Sequence, residues 1–144
     1  MKTTLCSVAL LALLSACASG NRNSGPAVDL QIAPINLSSN LLYFRGTVPL
    51  EFAVRVTNPT DETVKMQSLD LATVGPGAFR LRSGIVPVNR TIPPGGTTDL
   101  TVQTWGFASG GFMRAEEPVT IRANGTFRAG GHSFIRMRNE VISP

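Results

Sequence analysis

The residue types able to do chemistry are few in this chain, and they stand apart. There is one histidine, His132, beside Gly130-Gly131, and two cysteines, Cys6 and Cys17, at either end of an apolar run. A single histidine cannot build a multi-histidine metal site or a proton relay, and beside two glycines it reads as a turn residue. Glu116 and Glu117 are adjacent. On a strand they would face opposite sides and on a loop they would be solvated, so they do not form the paired carboxylates of a glycosidase. Ser83-Gly84 and Ser109-Gly110-Gly111 lack the G-x-S-x-G elbow and the helix that follows it. Gly95-Gly96 and Gly110-Gly111 have no Lys-Ser/Thr after them and no helix start to cradle a phosphate. No catalytic residue, metal or cofactor is expected. What remains is Cys17 and a set of arginines, Arg80, Arg82, Arg122, Arg128, Arg136 and Arg138, that recur at strand spacing. If several share one sheet face, their planar guanidinium forks suit phosphate or carboxylate groups. The plainer reading is a solvated face whose charges keep strand edges from pairing.

Cys17 takes its meaning from the segment before it. Met1 to Thr4 carries one positive charge, and Leu5 to Leu14 is apolar. Ten such residues fall within the roughly 7–15 of a secretory signal and below the roughly 18–20 of a membrane-spanning helix. Residues 1–16 therefore read as a signal-peptide helix. Leu14-Ser15-Ala16-Cys17 resembles the lipobox of bacterial lipoproteins. That resemblance implies a diacylglyceryl group on the Cys17 thiol, cleavage just before it, and acylation, typically with palmitate, of the new amino group. A Cys6–Cys17 disulfide would have to span three turns of one signal helix, and Cys6 has almost no apolar run before it. Once the signal is removed Cys17 is the sole cysteine, which excludes an internal disulfide, a cysteine zinc site and a buried thiol catalyst. Acyl chains at ~0.8 kcal/mol per buried methylene would hold the protein on a bilayer essentially permanently. Ala18 follows the cysteine where Asp would favour the inner membrane, so the outer membrane, facing the periplasm, is the expected address. Residues 17–27 are small and polar, a flexible tether reaching roughly 15–20 Å over about ten residues.

The elements that must position the arginines begin at Val28. The chain of 144 residues is 42% hydrophobic and 15% charged, with 14 Gly and 10 Pro, enough apolar content for one core. The apolar residues alternate with polar ones. Leu30 and Ile32 do so until Pro34, a short run covers Leu41 to Arg45, and Val48, Leu50, Phe52, Val54 and Val56 make the clearest half-buried strand. Asn58-Pro59-Thr60-Asp61-Glu62 supplies turn chemistry. The parity change between Met66 and Leu69 predicts a bulge at Gln67-Ser68. Phe79 to Arg82 reads as a short strand with both arginines outward. Val86-Pro87-Val88 reads as an edge strand because Pro cannot donate to a central ladder. Ile92 to Gly96 is a tight turn, Leu100, Val102 and Thr104 alternate, and the Gly-rich stretch from Trp105 to Pro118 is the longest expected loop. Val119 to Arg128 and Ser133 to Ile142 complete seven or eight strands with no helix beyond the signal. Residues 28–144 thus predict an all-β domain, a β-sandwich of immunoglobulin or fibronectin III type.

Three stretches carry a resemblance: "LEFAVRVTNPTDETVKMQSLDL", "GAFRLRSGIVPVNRTIPPGGTTDLTV" and "EEPVTIRANGTFRAGG". Together, over about residues 28 to 142, they resemble late-embryogenesis-abundant domains of the LEA14/WHy type, with Val56-Thr57-Asn58-Pro59 the most specific piece. Arg80-Leu81-Arg82 and Pro87 depart from that pattern, and the Trp-His signature is absent. The same stretches are similar to ASH/Hydin immunoglobulin-like domains. Both resemblances imply a seven- or eight-stranded sandwich and no catalytic motif. With the signal removed the chain keeps twelve Lys and Arg, eleven of them Arg, against nine Asp and Glu. Export and the lack of interleaved aromatics exclude nucleic acid as the partner. Two functions stay open. One is a lipid-anchored, non-enzymatic envelope module that binds or shields anionic lipid or glycan, under water stress as the first resemblance implies. The other is an accessory subunit of an envelope protein complex, docking through an edge strand or through the segment from Trp105 to Met113.

Overall fold

A computed structural model of the protein describes residues 25–35, 47–108 and 117–143. The expected signal helix, Cys17, most of the tether, the run from Leu41 to Arg45 and residues 109–116 lie outside the described residues. Eight strands are found among the described residues, and no helix: β1 (Asp29–Pro34), β2 (Thr47–Thr57), β3 (Val64–Val74), β4 (Phe79–Leu81), β5 (Ile85–Ile92), β6 (Thr97–Ala108), β7 (Val119–Ala129) and β8 (His132–Ile142). They form two antiparallel sheets, in order β1-β2-β6-β4 and β5-β3-β7-β8. The all-β sandwich is as the sequence predicts.

The spatial order corresponds to the ABED and C′CFG sheets of immunoglobulin domains. The path differs at one place. After β3 the chain crosses to the first sheet for the three-residue β4 before returning for β5, so the D position is filled before the C′ position.

Period-2 alternation drives the packing. On β2 the inward row Leu50, Phe52, Val54 and Val56 is essentially inaccessible to solvent, and it meets Val64, Met66, Leu69, Leu71, Ile121 and Phe127 of the other sheet. Each such side chain contributes roughly 1.5–3 kcal/mol by leaving water. This core holds the described residues, which contain no cysteine, together without a disulfide. The expected bulge is present: the register of β3 against both neighbours shifts between Met66 and Ser68, which returns Leu69 and Leu71 to the core side.

Two turns follow directly from their glycines. Pro93-Pro94-Gly95-Gly96 closes with Gly96 N donating to Pro93 O at 3.0 Å, and Gly95 has φ +65°. That is a type II turn, with Pro at its second position and Gly at its third. Gly130 and Gly131, at φ +53° and +85°, join Ala129 to its cross-strand partner His132 in a two-residue hairpin.

One expectation needs correcting. Trp105 to Ala108 is strand rather than loop: β6 continues through it, pairing with β2 on one side and β4 on the other. Gly106 is a packing glycine here. A Cβ at Gly106 would lie 2.5 Å from Leu50 Cδ1, so only hydrogen fits between β6 and the core.

Candidate functional site

The polar chemistry of the "VTNPTD" turn is structural. Asn58 is fully buried, the only polar residue so placed among the described residues. Its Nδ2 donates towards Glu62 O at 2.7 Å, Pro93 O at 3.1 Å and Ile92 O at 3.2 Å. Its Oδ1 accepts from Thr60 Oγ1 at 2.7 Å and Thr60 N at 3.2 Å. The backbone adds Asn58 N to Gly96 O at 2.9 Å and Gly95 N to Thr60 O at 3.2 Å. The Asn58 turn and the Pro-Pro-Gly turn, 34 residues apart, are thus one hydrogen-bonded unit that ties the two sheets at one end. The sequence presents both turns, but not that one holds the other.

The six arginines divide among three surfaces. Arg80 points outward from β4, cross-strand from Phe107, and Arg82 follows one residue past β4 with its amide donating to Trp105 O at 2.7 Å. Trp105 and Phe107 alternate on the outer face of β6, 48% and 39% exposed, and Trp105 stands opposite Pro49 of β2. Two cations and two aromatic rings therefore share one end of the first sheet's outer face. Arg122 and Arg128 project from the outer face of the second sheet, six residues or roughly 20 Å apart along β7. Arg128 has Lys65 opposite it on β3. Arg122 has its Nε buried without a hydrogen-bond partner.

Arg136 and Arg138 lie on the other face of that same sheet. Every even-numbered residue of β7 pairs with an odd-numbered residue of β8, so Arg122 meets Asn139 and Arg128 meets Ser133, while Arg136 and Arg138 oppose Gly125 and Ala123. A single arginine face across β7 and β8 is excluded by this register. The signal was in the sequence, because a two-residue Gly130-Gly131 turn between Ala129 and His132 already fixes it. Arg136 is a clamp: its guanidinium lies 5.0 Å over the Phe134 ring and donates to Gly25 O and, at 2.7 Å, to Pro26 O. It holds the chain entering β1 against the last strand. Arg138 pairs with Glu140 of its own strand at 3.3 Å.

Arg55 and Asp99 pair across β2 and β6 at 2.7 Å in full solvent. The hydrogen bond from Arg55 holds the Asp99 carboxyl below its usual range and raises Arg55 in turn. His132 is exposed at the start of β8, in a shallow cleft of about 570 Å³ shared with Glu62, Gly25 and Pro26. No group of three His, Cys, Asp or Glu residues that could hold a metal ion occurs among the described residues. No helix there is long and apolar enough to cross a membrane.

No family model matches the sequence, and no curated protein matches it. Solved structures do match in shape. The ApaA protein of Bordetella pertussis superposes with a TM-score of 0.55 at 13% identity, covering 82% of this chain and 94% of that one. A protein from Archaeoglobus fulgidus gives 0.50 at 10% identity, covering 82% and 98%. A late embryogenesis abundant protein gives 0.46 at 14% identity, covering 83% and 72%. At these identities the likeness to the first two shows the sandwich fold alone. The lipobox and the late-embryogenesis-abundant resemblance rest on the quoted residues.

Proposed function

We propose that this chain is a lipid-anchored module of the bacterial cell envelope whose β-sandwich binds or shields envelope components without catalysis. The observation that carries the reading is Leu14-Ser15-Ala16-Cys17 at the end of a ten-residue apolar run. Acylated Cys17 is the membrane partner, the outer membrane facing the periplasm is the location, and a shielding role under water stress is what the late-embryogenesis-abundant resemblance adds. Arg136 fits this arrangement: by gripping Gly25 and Pro26 it gives the tether a fixed point of departure eight residues after Cys17. A wild-type chain should pellet with membranes and take up an acyl label. Cys17→Ala should lose both, and a variant that keeps the label and still partitions wholly with membranes refutes the anchor.

A second reading is favoured by one surface. Trp105 and Phe107, exposed beside Arg80 and Arg82, have the aromatic and arginine content of a protein-docking patch, which suits an accessory subunit of an envelope complex. Pull-down from solubilised membranes separates the two. A stoichiometric partner lost on Trp105→Ala supports docking, whereas partner-free protein that protects liposomes during drying supports the shielding role.

A further inference from the structure

The four sheet edges of this sandwich are not protected alike. β1 has six residues and ends in Pro34, β4 has three, and β5 carries Pro87 and a left-handed Asn89 at φ +52°. Short length, proline, irregular backbone and inward-pointing charge all stop an edge from pairing with another chain. β8 has none of the first three, and the charges on its inward row, Arg136, Arg138 and Glu140, are of both signs, so they repel a strand in most registers but can match one of complementary register. β8 is eleven residues long, contains no proline, and pairs with β7 without a break from His132 to Ile142. No strand pairs with its other side among the described residues. Its outward row includes Ile135, Met137 and Val141, 49%, 60% and 63% exposed.

We infer that β8 is a self-association edge, on which a second copy of this chain adds its own β8 antiparallel about a two-fold axis through Asn139. Charge complementarity selects both the partner and the register. With Asn139 facing itself, Arg138 opposes Glu140 of the second copy and Glu140 opposes Arg138 of the second copy. The two intrachain pairs, half-exposed and 3.3 Å apart, become an alternating four-charge cluster. On the opposite face Met137 meets Val141 of the second copy, twice over, and covers apolar surface that is otherwise in water. Neighbouring registers are worse. Centring on Met137 sets Arg136 against Arg138, centring on Arg138 sets that residue against itself, and centring on Glu140 sets two carboxylates together; like charges directly opposite are destabilising. A closed two-fold pairing of this kind consumes both edges, so it stops at a dimer and gives one sheet of eight strands. The inference does not depend on the lipid anchor.

Cysteine substitution in the full-length protein, solubilised in mild detergent and gently oxidised, reads the register. Facing residues of an antiparallel pair have Cα atoms about 4.5–5.5 Å apart, within disulfide reach. Asn139→Cys should give a covalent dimer. Ile135→Cys, on the same outward row but opposite Ser143 of the second copy, should give no more than wild type, which sets the background. Sedimentation supplies the second readout: Arg138→Glu or Glu140→Arg should weaken self-association about tenfold or more, and the double charge swap should restore it. The inference is overturned if wild type sediments as a monomer throughout, if Asn139→Cys links no better than Ile135→Cys, or if the swap does not rescue.

Discussion

Replacing Asn58 tests whether one buried amide holds the two turns together. Asn58→Ala removes donation to three carbonyl oxygens and acceptance from Thr60 N and Oγ1. Some partners recover. Pro93 O keeps Gly96 N, and Thr60 Oγ1 also reaches Glu62 O at 3.3 Å. Ile92 O is buried and is left with one bond fewer. Two to three hydrogen bonds at about 1 kcal/mol each, with about 1 kcal/mol or more for the stranded carbonyl, give a loss of about 3–4 kcal/mol. With a urea m-value of about 1–1.5 kcal/mol/M, the unfolding midpoint should fall by about 2–4 M. Asn58→Asp sharpens the test because it keeps the shape and removes the donor. Its carboxylate would face three carbonyl oxygens in a site with no solvent, so its folded pKa lies above the unfolded value of about 3.9. Stability then falls as pH rises from about 4 through that raised value and is flat above it, and the deficit against wild type shrinks in acid, where the protonated group can donate again. Urea titrations of the three proteins between pH 3 and pH 8 decide the matter. A deficit under about 1 kcal/mol for Asn58→Ala, or one independent of pH for Asn58→Asp, would show that the bridge is not made as described.

Gly106→Ala should lower stability by about 1–3 kcal/mol in the same denaturation assay, since its Cβ meets Leu50 rather than open space. Arg136→Ala should free the entering segment while leaving the core folded, read as faster proteolysis and amide exchange just before β1. Asp99→Asn should cost a little stability at neutral pH, and less in high salt. Because Arg55 lowers the Asp99 pKa in the fold, that contribution exists above the unfolded value and disappears as pH drops below about 4. The difference between variant and wild type should therefore close in acid, as followed by thermal melts.

The sequence by itself determined the strands and the turns. Alternation at Leu50 to Val56, the parity slip at Met66, Pro87 on an edge and Pro94-Gly95 in a turn are local facts, written into residue preference and φ restriction. The proposed role of Cys17 is of the same local kind, drawn from linear sequence alone. Tertiary structure decided what those elements do to one another. Pairing gave Gly106 its place against Leu50, turned an expected loop into the end of β6, and brought Asn58 under Ile92 O across 34 residues. It also dispersed the arginines. All but Arg82, which falls one residue past β4, lie on strands, but which face each shares depends on register, and register belongs to two strands at once. One residue of slip between β7 and β8 would have put Arg122 beside Arg138, and the two-glycine turn forbids it.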